Sequence, residues 1–363
     1  TLFFQLFYYK IKIHCIFLVE LLVPYSIGKN MHKTYTIFGL IGLLLIVAGF
    51  YRIATAPQAE ISNGIIKANL YLPDHENGYY RATRFDWSGV ISSLEYKGHQ
   101  YFGQWFKKYD PMINDAIMGP VEDFSPLGYD EAEEGGLFVK IGIGALEKIK
   151  EEKYRFSHTY DLVNGGEWKV KKHKNRVEFR HELIDADGYG YQYTKVVELV
   201  KDKPVLVLKH TLKNTGTKSI NTSVYNHNFF VIDQEPTGPN IKTTFPYDIH
   251  LDNSEQKKVV NFDSLGLVSD RTISFRRYFK NGESVYTSGI MGFRDLPEDY
   301  QFSVMNTKTG AGVKVKGDKA LEKIVYWANA RTYCAEPYIR LELEPGETVN
   351  WKNEYDFFTF EKE

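Results

Sequence analysis

Residues 223–230, of sequence Ser-Val-Tyr-Asn-His-Asn-Phe-Phe, are the stretch of this chain with the clearest potential for chemistry. A turn signal at residues 214–217 precedes them, and their aromatic and β-branched side chains predict a β-strand. Because side chains alternate along a strand, Tyr225, His227 and Phe229 then share one face. An imidazole between two aromatic rings suits proton transfer to a ligand that stacks on those rings, such as a sugar. Taken alone, His227 is equally well interpreted as a core residue.

Glu336 is the second candidate. It follows an apolar run and directly precedes Pro337. A residue before proline is held in extended geometry, and the proline has no N–H to give to a sheet ladder. We therefore expect Glu336 at the end of a strand, beside a break in strand pairing, where its carboxylate faces a cleft. A glutamate in such a position is otherwise usually a surface residue, but the flanking Cys-Ala and Pro-Tyr argue against that here.

The two segments resemble motifs of the galactose mutarotase (aldose 1-epimerase) superfamily. Residues 226–230 are similar to its Asn-His-x-x-Phe strand, in which the His donates a proton to the sugar ring oxygen. Residues 334–337 are similar to its Cys-x-Glu-Pro motif, in which the Glu is the general base. The resemblance implies that His227 is the acid, that Glu336 is the base, and that Asn226 is a neighbouring substrate contact.

The interconversion of sugar anomers explains why one base and one acid are needed. The base removes the proton of the anomeric hydroxyl while the acid protonates the ring oxygen, and the resulting aldehyde closes again on its other face. A carboxylate with a pKa of about 4.3 and an imidazole with a pKa of about 6.5 hold these states near neutral pH with small tuning. No metal, cofactor or covalent nucleophile is needed. We expect the two groups to meet across a cleft that admits a pyranose between them.

Three further side chains are candidate substrate contacts. Arg84 lies in a segment that looks like the superfamily's opening hairpin, and its planar fork of donors suits sugar hydroxyls, although a surface ion pair is the alternative. Trp327 has the ring to stack on a pyranose, with a core position as its alternative. Glu122 lies in a long irregular region, residues 109–136, where relatives carry polar substrate-binding residues, and loops of this length often serve a site.

The sequence departs from the superfamily pattern in one respect. Characterised mutarotases carry a second His in an Asn-x-Leu-His-Gly-Gly segment, and the corresponding residues 126–136 contain no histidine. His99, His158 and His181 are the nearest candidates to replace it, and none has a matching context. Three functions therefore stay open: an aldose 1-epimerase-like enzyme, a non-catalytic carbohydrate-binding protein, and a polysaccharide-degrading enzyme on the same fold.

The elements that position these residues are predicted to be short strands. Alternating runs separated by turn pairs, such as Lys97-Gly98 and Asp187-Gly188, continue from about residue 61 onwards. Helical periodicity is scarce, and its best candidate, residues 145–153, is a short helix or a solvated loop. With the resemblance, this pattern predicts an all-β fold, a large antiparallel two-sheet super-sandwich that occupies residues 58–363 as one domain.

Composition excludes several other classes of protein. The 45 Lys and Arg residues balance 46 Asp and Glu residues, so we expect no general attraction to nucleic acid or to anionic lipid. Two cysteines do not make a disulfide framework. The glycine pattern of a dinucleotide site, the spacing of metal ligands and the Gly-x-Ser-x-Gly elbow are lacking. A sugar is the partner that the sequence favours.

The N-terminal region is predicted to direct export. Residues 1–30 precede the first methionine and are interpreted as an upstream extension or a misplaced start. Residues 31–57 contain a short basic start and then eighteen uncharged residues, Thr34 to Tyr51, which are typical of a signal peptide or of a membrane anchor. We therefore expect the large domain in the periplasm or outside the cell, with membrane contact only through this segment.

Overall fold

The structure, a computed structural model, describes residues 56–254 and 257–361. The predicted upstream extension, and the signal or anchor segment as far as residue 55, lie outside these residues. Within the described part, no helix is long and apolar enough to cross a membrane. Two single-turn 3₁₀ segments, Ile232–Gln234 and Pro297–Asp299, are the helical elements found there, and the regular structure is otherwise extended. The predicted all-β class is confirmed.

Strands account for most of the regular backbone. In chain order they are β1 (Gln58–Ser62), β2 (Ile66–Tyr71), β3 (Val90–Tyr96), β4 (His99–Gln100), β5 (Gly119–Phe124), β6 (Leu137–Lys140), β7 (Gly144–Glu147), β8 (Leu162–Asn164), β9 (Glu167–Lys172), β10 (Arg176–Ala186), β11 (Tyr189–Leu199), β12 (Val205–Asn214), β13 (Ile220–Phe229), β14 (Ile241–Thr244), β15 (His250–Leu251), β16 (Val259–Val260), β17 (Gly266–Ser269), β18 (Thr272–Phe275), β19 (Ser284–Met291), β20 (Gln301–Asn306), β21 (Ala311–Gly317), β22 (Lys323–Asn329), β23 (Tyr333–Leu343) and β24 (Thr348–Thr359).

Two large antiparallel sheets form the sandwich. The ten-stranded sheet has the order β17-β18-β14-β20-β21-β24-β12-β11-β10-β9. The seven-stranded sheet has the order β15-β19-β22-β23-β13-β5, with β16 paired to β19. Two smaller sheets, β1 to β4 and β6 to β8, contribute apolar side chains to the same main core. The predicted two-sheet architecture is therefore the observed one.

The strands form where side chains alternate between buried and more exposed positions. In β11, for example, Tyr191, Tyr193, Lys195 and Val197 are at most 1% exposed, while the residues that alternate with them, Gln192, Thr194 and Val196, are partly exposed. The hairpin from β10 to β11 turns on two residues, Asp187 (φ 53°) and Gly188 (φ 83°), both in the left-handed region that this type of turn requires. This alternation and this turn are the signals that the sequence displays.

Two predicted irregular regions contain strands instead. Residues 145–153, predicted as a short helix or solvated loop, begin inside β7, where Ala145 and Leu146 are fully buried. The charged residues that follow in the sequence made this short apolar run difficult to recognise as a strand. The long region 109–136 contains β5, which is buried along its length and pairs with β13. Because β5 begins with Gly119-Pro120 and contains two acidic residues, Glu122 and Asp123, its sequence looks like that of a loop.

A group of charged side chains lies in the interior of the sandwich. Lys195 of β11 donates to Glu122 of β5 and to the carbonyl oxygen of Ser88, while His210 Nε2 lies 2.8 Å from the other Glu122 oxygen. Burial by itself would raise the pKa of Glu122, but Lys195 and His210 lower it to about 2. Burial raises the pKa of the neighbouring Asp86 to about 7. Glu122 is therefore an ionised, paired carboxylate in the core.

We expect Lys195→Met to destabilise the protein by about 3–5 kcal/mol, because it leaves the Glu122 carboxylate buried without its main cation. The matched control is Lys209→Met on the adjacent strand, which breaks a mostly exposed pair with Glu198 at 2.6 Å and should cost about 1 kcal/mol or less. Urea unfolding followed by tryptophan fluorescence measures both. Equal losses in the two variants would contradict the importance of the buried pair.

Candidate active site

The seven-stranded sheet brings His227 and Glu336 together on one face. Their strands, β13 and β23, are neighbours, and the register pairs Tyr225 with Tyr338. Continuing this register by two residues sets His227 opposite Glu336, with both side chains on the same side of the sheet. His227 Nε2 lies 3.3 Å from Glu336 Oε1. The two groups are therefore in direct contact, and the expected gap for a pyranose between them is absent.

Pro337 interrupts the pairing of these strands next to the contact. The β13–β23 ladder stops at Tyr338 and returns only as an isolated bridge between Phe230 and Tyr333. Pro337 lies within that interval and has no N–H to donate. The expected break in pairing beside Glu336 is present. The expectation that Glu336 ends its strand is wrong, because β23 continues on both sides of it.

Asn228 holds the two strands together across this interruption. Its Nδ2 donates to the carbonyl oxygen of Ala335 at 2.9 Å, which gives a backbone acceptor of β23 a partner from β13. The hydroxyl of Tyr355, on β24 of the other sheet, donates to Asn228 Oδ1 at 2.8 Å. Both ends of the fully buried amide are therefore occupied. The separation of β13 and β23 at the site is fixed from the interior of the sandwich.

Aromatic rings surround the imidazole. His227 stacks on Phe229 with a centroid distance of 3.8 Å and an interplanar angle of 9°. Phe85 and Trp327 meet it edge-on at 5.6 Å and 5.8 Å. Trp327, a predicted substrate contact, therefore lies at the site and is only partly buried. His227 Nδ1 is buried and has no hydrogen-bond partner in the described part of the chain, so the Glu336 contact is the polar contact of this ring.

Arg84, the third predicted residue at the site, brings a buried positive charge. Its Nη1 donates to Asp115 at 2.6 Å, its Nε donates to Asp123 at 3.3 Å, and its Nη2 donates to the hydroxyl of Tyr225 at 3.1 Å. The Phe85 ring lies 4.5 Å from the guanidinium carbon. Of these partners only Asp115 is largely exposed. All three donor groups of Arg84 are thus occupied by the protein, and a second ring, that of Phe156, lies 4.3 Å from the guanidinium carbon.

Burial shifts the pKa values of both members of the pair toward their neutral forms. Burial raises the pKa of Glu336 to about 8, although the nearby Arg84 charge opposes this shift. Burial also lowers the pKa of His227 well below its usual value, and here Arg84 adds to the effect. The side chains are only 5% and 6% exposed. At neutral pH the carboxyl of Glu336 is therefore protonated and the imidazole of His227 is neutral.

Glu122 and Asn226, which were predicted as substrate contacts, are not at this site. They are paired in the β5–β13 register, and Asn226 Nδ2 donates to Glu122 Oε1 at 2.9 Å. Both point into the sandwich, on the opposite face from His227, and are 0% and 3% exposed respectively. These two predictions are corrected, because side-chain alternation along β13 and β5 turns them away from the site.

Asp123 is the site residue that sequence reasoning missed. It follows Glu122 in β5 and so faces the side that carries His227. Asp123 accepts hydrogen bonds from Arg84, from the hydroxyl of Tyr225 at 3.0 Å and from Lys140 at 2.5 Å. Once β5 is assigned as a strand paired with β13, its alternation identifies Asp123 rather than Glu122. Sequence reasoning missed Asp123 because it did not assign β5 as a strand.

None of the three histidines considered as replacements contacts the pair. His99 Nδ1 lies 2.9 Å from Asp233. His158 packs edge-on against Tyr160, and His181 stacks on Trp168 at 4.2 Å. Across the described residues, no group of three or more His, Cys, Asp or Glu side chains is arranged to hold a metal ion.

Comparison with known proteins identifies the fold. No family model matches the sequence, and no curated protein matches it. Solved structures do match: the Slr1438 protein of Synechocystis sp. PCC 6803 has a TM-score of 0.52 and 11% identity over 84% of this chain and 97% of that one. The GalM/aldose epimerase homologue of C. elegans has a TM-score of 0.54 and 13% identity over 85% of this chain and 100% of that one.

The chain is thus a two-sheet antiparallel super-sandwich that shares its architecture with proteins of very different sequence. Its fold is the galactose mutarotase-like fold, and the resemblance read from residues 226–230 and 334–337 is confirmed at that level. At 11% and 13% identity the likeness concerns the fold and carries no residue roles.

We expect Glu336→Gln to stabilise the protein more at about pH 9 than at about pH 5.5. The folded-state pKa of Glu336 is about 8, above the ordinary value of 4.5, so the folded protein holds this proton more tightly than the unfolded chain. That contribution is present at low pH and is lost as the pH rises through 8. The neutral amide has no proton to lose.

Urea unfolding midpoints of the parent and of the Glu336→Gln variant, taken at both pH values, measure this difference. The matched control is Glu342→Gln, which changes an exposed carboxyl on the same strand. A gain at pH 9 that is no larger than the gain at pH 5.5, or an equal gain in the control, would show that Glu336 is not held protonated by burial.

Proposed function

We propose that this protein is an aldose 1-epimerase-like enzyme that interconverts the anomers of a sugar through His227 and Glu336. The observation that carries the proposal is the 3.3 Å contact between His227 Nε2 and Glu336 Oε1, which unites a proton donor and a proton acceptor from strands far apart in the chain. The shared fold with a protein named as a GalM/aldose epimerase homologue supports the class of reaction.

The protonation states of Glu336 and His227 agree with this chemistry. At rest the carboxyl of Glu336 carries the proton and His227 is neutral. A shift of that proton across the contact gives a carboxylate and an imidazolium without any exchange with solvent. These are the states in which Glu336 is the base and His227 is the acid. Because the two arrangements hold the same number of protons, the pair reaches its reactive form at the pH at which it rests.

The reaction then follows in balanced steps. The Glu336 carboxylate takes the proton of the anomeric hydroxyl, the carbon–oxygen double bond forms, and the bond from the anomeric carbon to the ring oxygen breaks. His227 gives its Nε2 proton to that ring oxygen. After rotation about the adjacent carbon–carbon bond, the reverse transfers close the ring on its other face. The Arg84 charge favours the carboxylate form of Glu336 during these steps.

Access to the pair requires a movement of the side chains above it. A sugar ring approaches from the face that carries Phe85 and Trp327, since the sandwich core closes the other face. The ion pair of Arg84 with Asp115 is the exposed part of this cover, with the Asp115 side chain 55% exposed. We infer that substrate hydroxyls replace Asp115 as acceptors for Arg84. Arg84 is then a substrate contact, as the sequence predicts.

Single substitutions of the pair should remove most of the activity. Each of His227→Gln and Glu336→Gln is expected to lower the rate of anomer exchange by about 10²–10⁴-fold, since each removes one positioned proton-transfer group. Exchange spectroscopy by NMR on a panel of aldoses, with subtraction of the spontaneous rate, measures this. Glu342→Gln is the control. A Glu336→Gln variant that keeps the parent rate on every active sugar would remove the proposal.

Sugar binding without catalysis is the second candidate, and specific observations favour it. The pair is nearly closed to solvent, and none of His99, His158 and His181 stands at the site in place of the second superfamily histidine. This candidate predicts that calorimetry detects sugar binding while exchange stays at the spontaneous rate. The NMR measurement on the parent protein separates the two functions.

A further inference from the structure

A groove of about 500 Å³ opens beyond the end of β13, and neither the fold nor the proposed reaction explains it. Three segments line it: residues 231–236, residues 279–281 and the turn at 330–331 between β22 and β23. Phe279 and Val231 give it an apolar floor, while Gln234 and Asn281 are polar lining residues. An apolar floor with a few polar groups is the usual composition of a small-ligand site.

The groove continues the face that carries the candidate active site. Val231 follows Phe229 by two residues and belongs to the same buried cluster as Phe229 and Trp105. The four residues from His227 to Val231 span about 13 Å of extended chain. Along β22 and the turn that follows it, Arg331 comes four residues after Trp327. The groove therefore lies within reach of a ligand that starts at the pair and is longer than one sugar ring.

Two cations line the groove without a side-chain ion pair among the described residues. Arg331 and Lys280 line it, and neither forms an ion pair within residues 56–254 and 257–361. The nearby acids are already engaged: Glu235 accepts from Lys308 at 2.9 Å, and Glu283 accepts two bonds from Arg277 at 2.7 Å and 2.8 Å. Glu235 itself lines the groove, but its charge is paired with Lys308. The charge of Glu283 near Lys280 is paired with Arg277, so the lining keeps a net positive charge.

The backbone of the groove is held in an unusual conformation. Asp233 (φ 57°) and Gln234 (φ 58°) are consecutive non-glycine residues in the left-handed region. The Asp233 carboxylate fixes this bend, since it accepts from the backbone N–H of Gln100 at 3.0 Å and lies 2.9 Å from His99 Nδ1. Strain that the surroundings enforce is typical of binding sites. Here it places Gln234 at the groove.

We propose that this groove binds a sugar unit that carries a carboxylate, so that the protein takes an acidic oligosaccharide rather than a free neutral monosaccharide. The guanidinium fork of Arg331 matches a carboxylate with two parallel hydrogen bonds, and Lys280 adds a second charge. The apolar floor receives the carbon–hydrogen face of the sugar. The inference deepens the proposed function and rests on it for the place of the first unit, over His227 and Glu336.

Isothermal titration calorimetry with a uronate trisaccharide, a neutral trisaccharide of the same length and acetate tests the groove. The parent protein should bind the uronate trisaccharide at least tenfold more tightly than the neutral one, and acetate only weakly. Arg331→Gln and Lys280→Gln are each expected to weaken uronate binding on the order of tenfold, because each removes a charged hydrogen-bond donor. Binding of the neutral trisaccharide should change less than twofold.

The matched control is the single variant Lys174→Gln, which removes one positive charge from an exposed turn of the ten-stranded sheet. Equal affinity for uronate and neutral trisaccharides, or an equal loss in this control, would overturn the inference. The His227→Gln variant separates the two proposals. If this variant loses anomer exchange but still binds the uronate trisaccharide, both proposals are supported. If the parent protein binds the uronate trisaccharide but catalyses no exchange, the proposed groove is supported and the proposed enzyme activity is contradicted.

Discussion

The contact between His227 and Glu336 depends on an interruption in the hydrogen bonding between two central strands. A continuous ladder between β13 and β23 would leave no place for a proline, and Pro337 stops the ladder because it lacks an N–H. An unpaired backbone carbonyl in this buried position would be costly, and the Asn228 amide removes that cost by donating to Ala335. The site is thus an interruption in the β13–β23 ladder, at which the Asn228 side chain supplies a hydrogen bond that the backbone does not.

The hydrogen bonds of Asn228 link the site to the rest of the sandwich. Asn228 faces the interior, where Tyr355 of the opposite sheet donates to it. The same interior contains the ionised Glu122 with Lys195 and His210, next to the strand position that supplies Asp123 to the outer face. Two consecutive acidic residues of β5 therefore serve opposite faces of one sheet. The packing of the two sheets and the geometry of the candidate site are held by a common set of strands.

The electrostatic balance around the pair explains its protonation. Arg84, Lys140 and Lys323 are cations near the pair, and Asp115 and Asp123 are the acids that pair with Arg84 and Lys140. An ionised Glu336 would add a third negative charge in a place that water scarcely reaches. Burial is accordingly the largest influence on its pKa, and the carboxyl keeps its proton near neutral pH. The proximity of Arg84 keeps that shift within the range of a usable acid–base group.

The amino-acid sequence by itself determined the class of fold, since strand alternation and turn pairs such as Asp187-Gly188 are local properties of the chain. Short local patterns also marked His227, Glu336, Arg84 and Trp327 as candidates. Only the tertiary structure decided that β5 is a strand, and therefore that Glu122 and Asn226 face the core while Asp123 faces the site. It alone set the distance between His227 and Glu336. Register, sheet partners and burial arise from contacts between residues distant in sequence, and no local pattern encodes them.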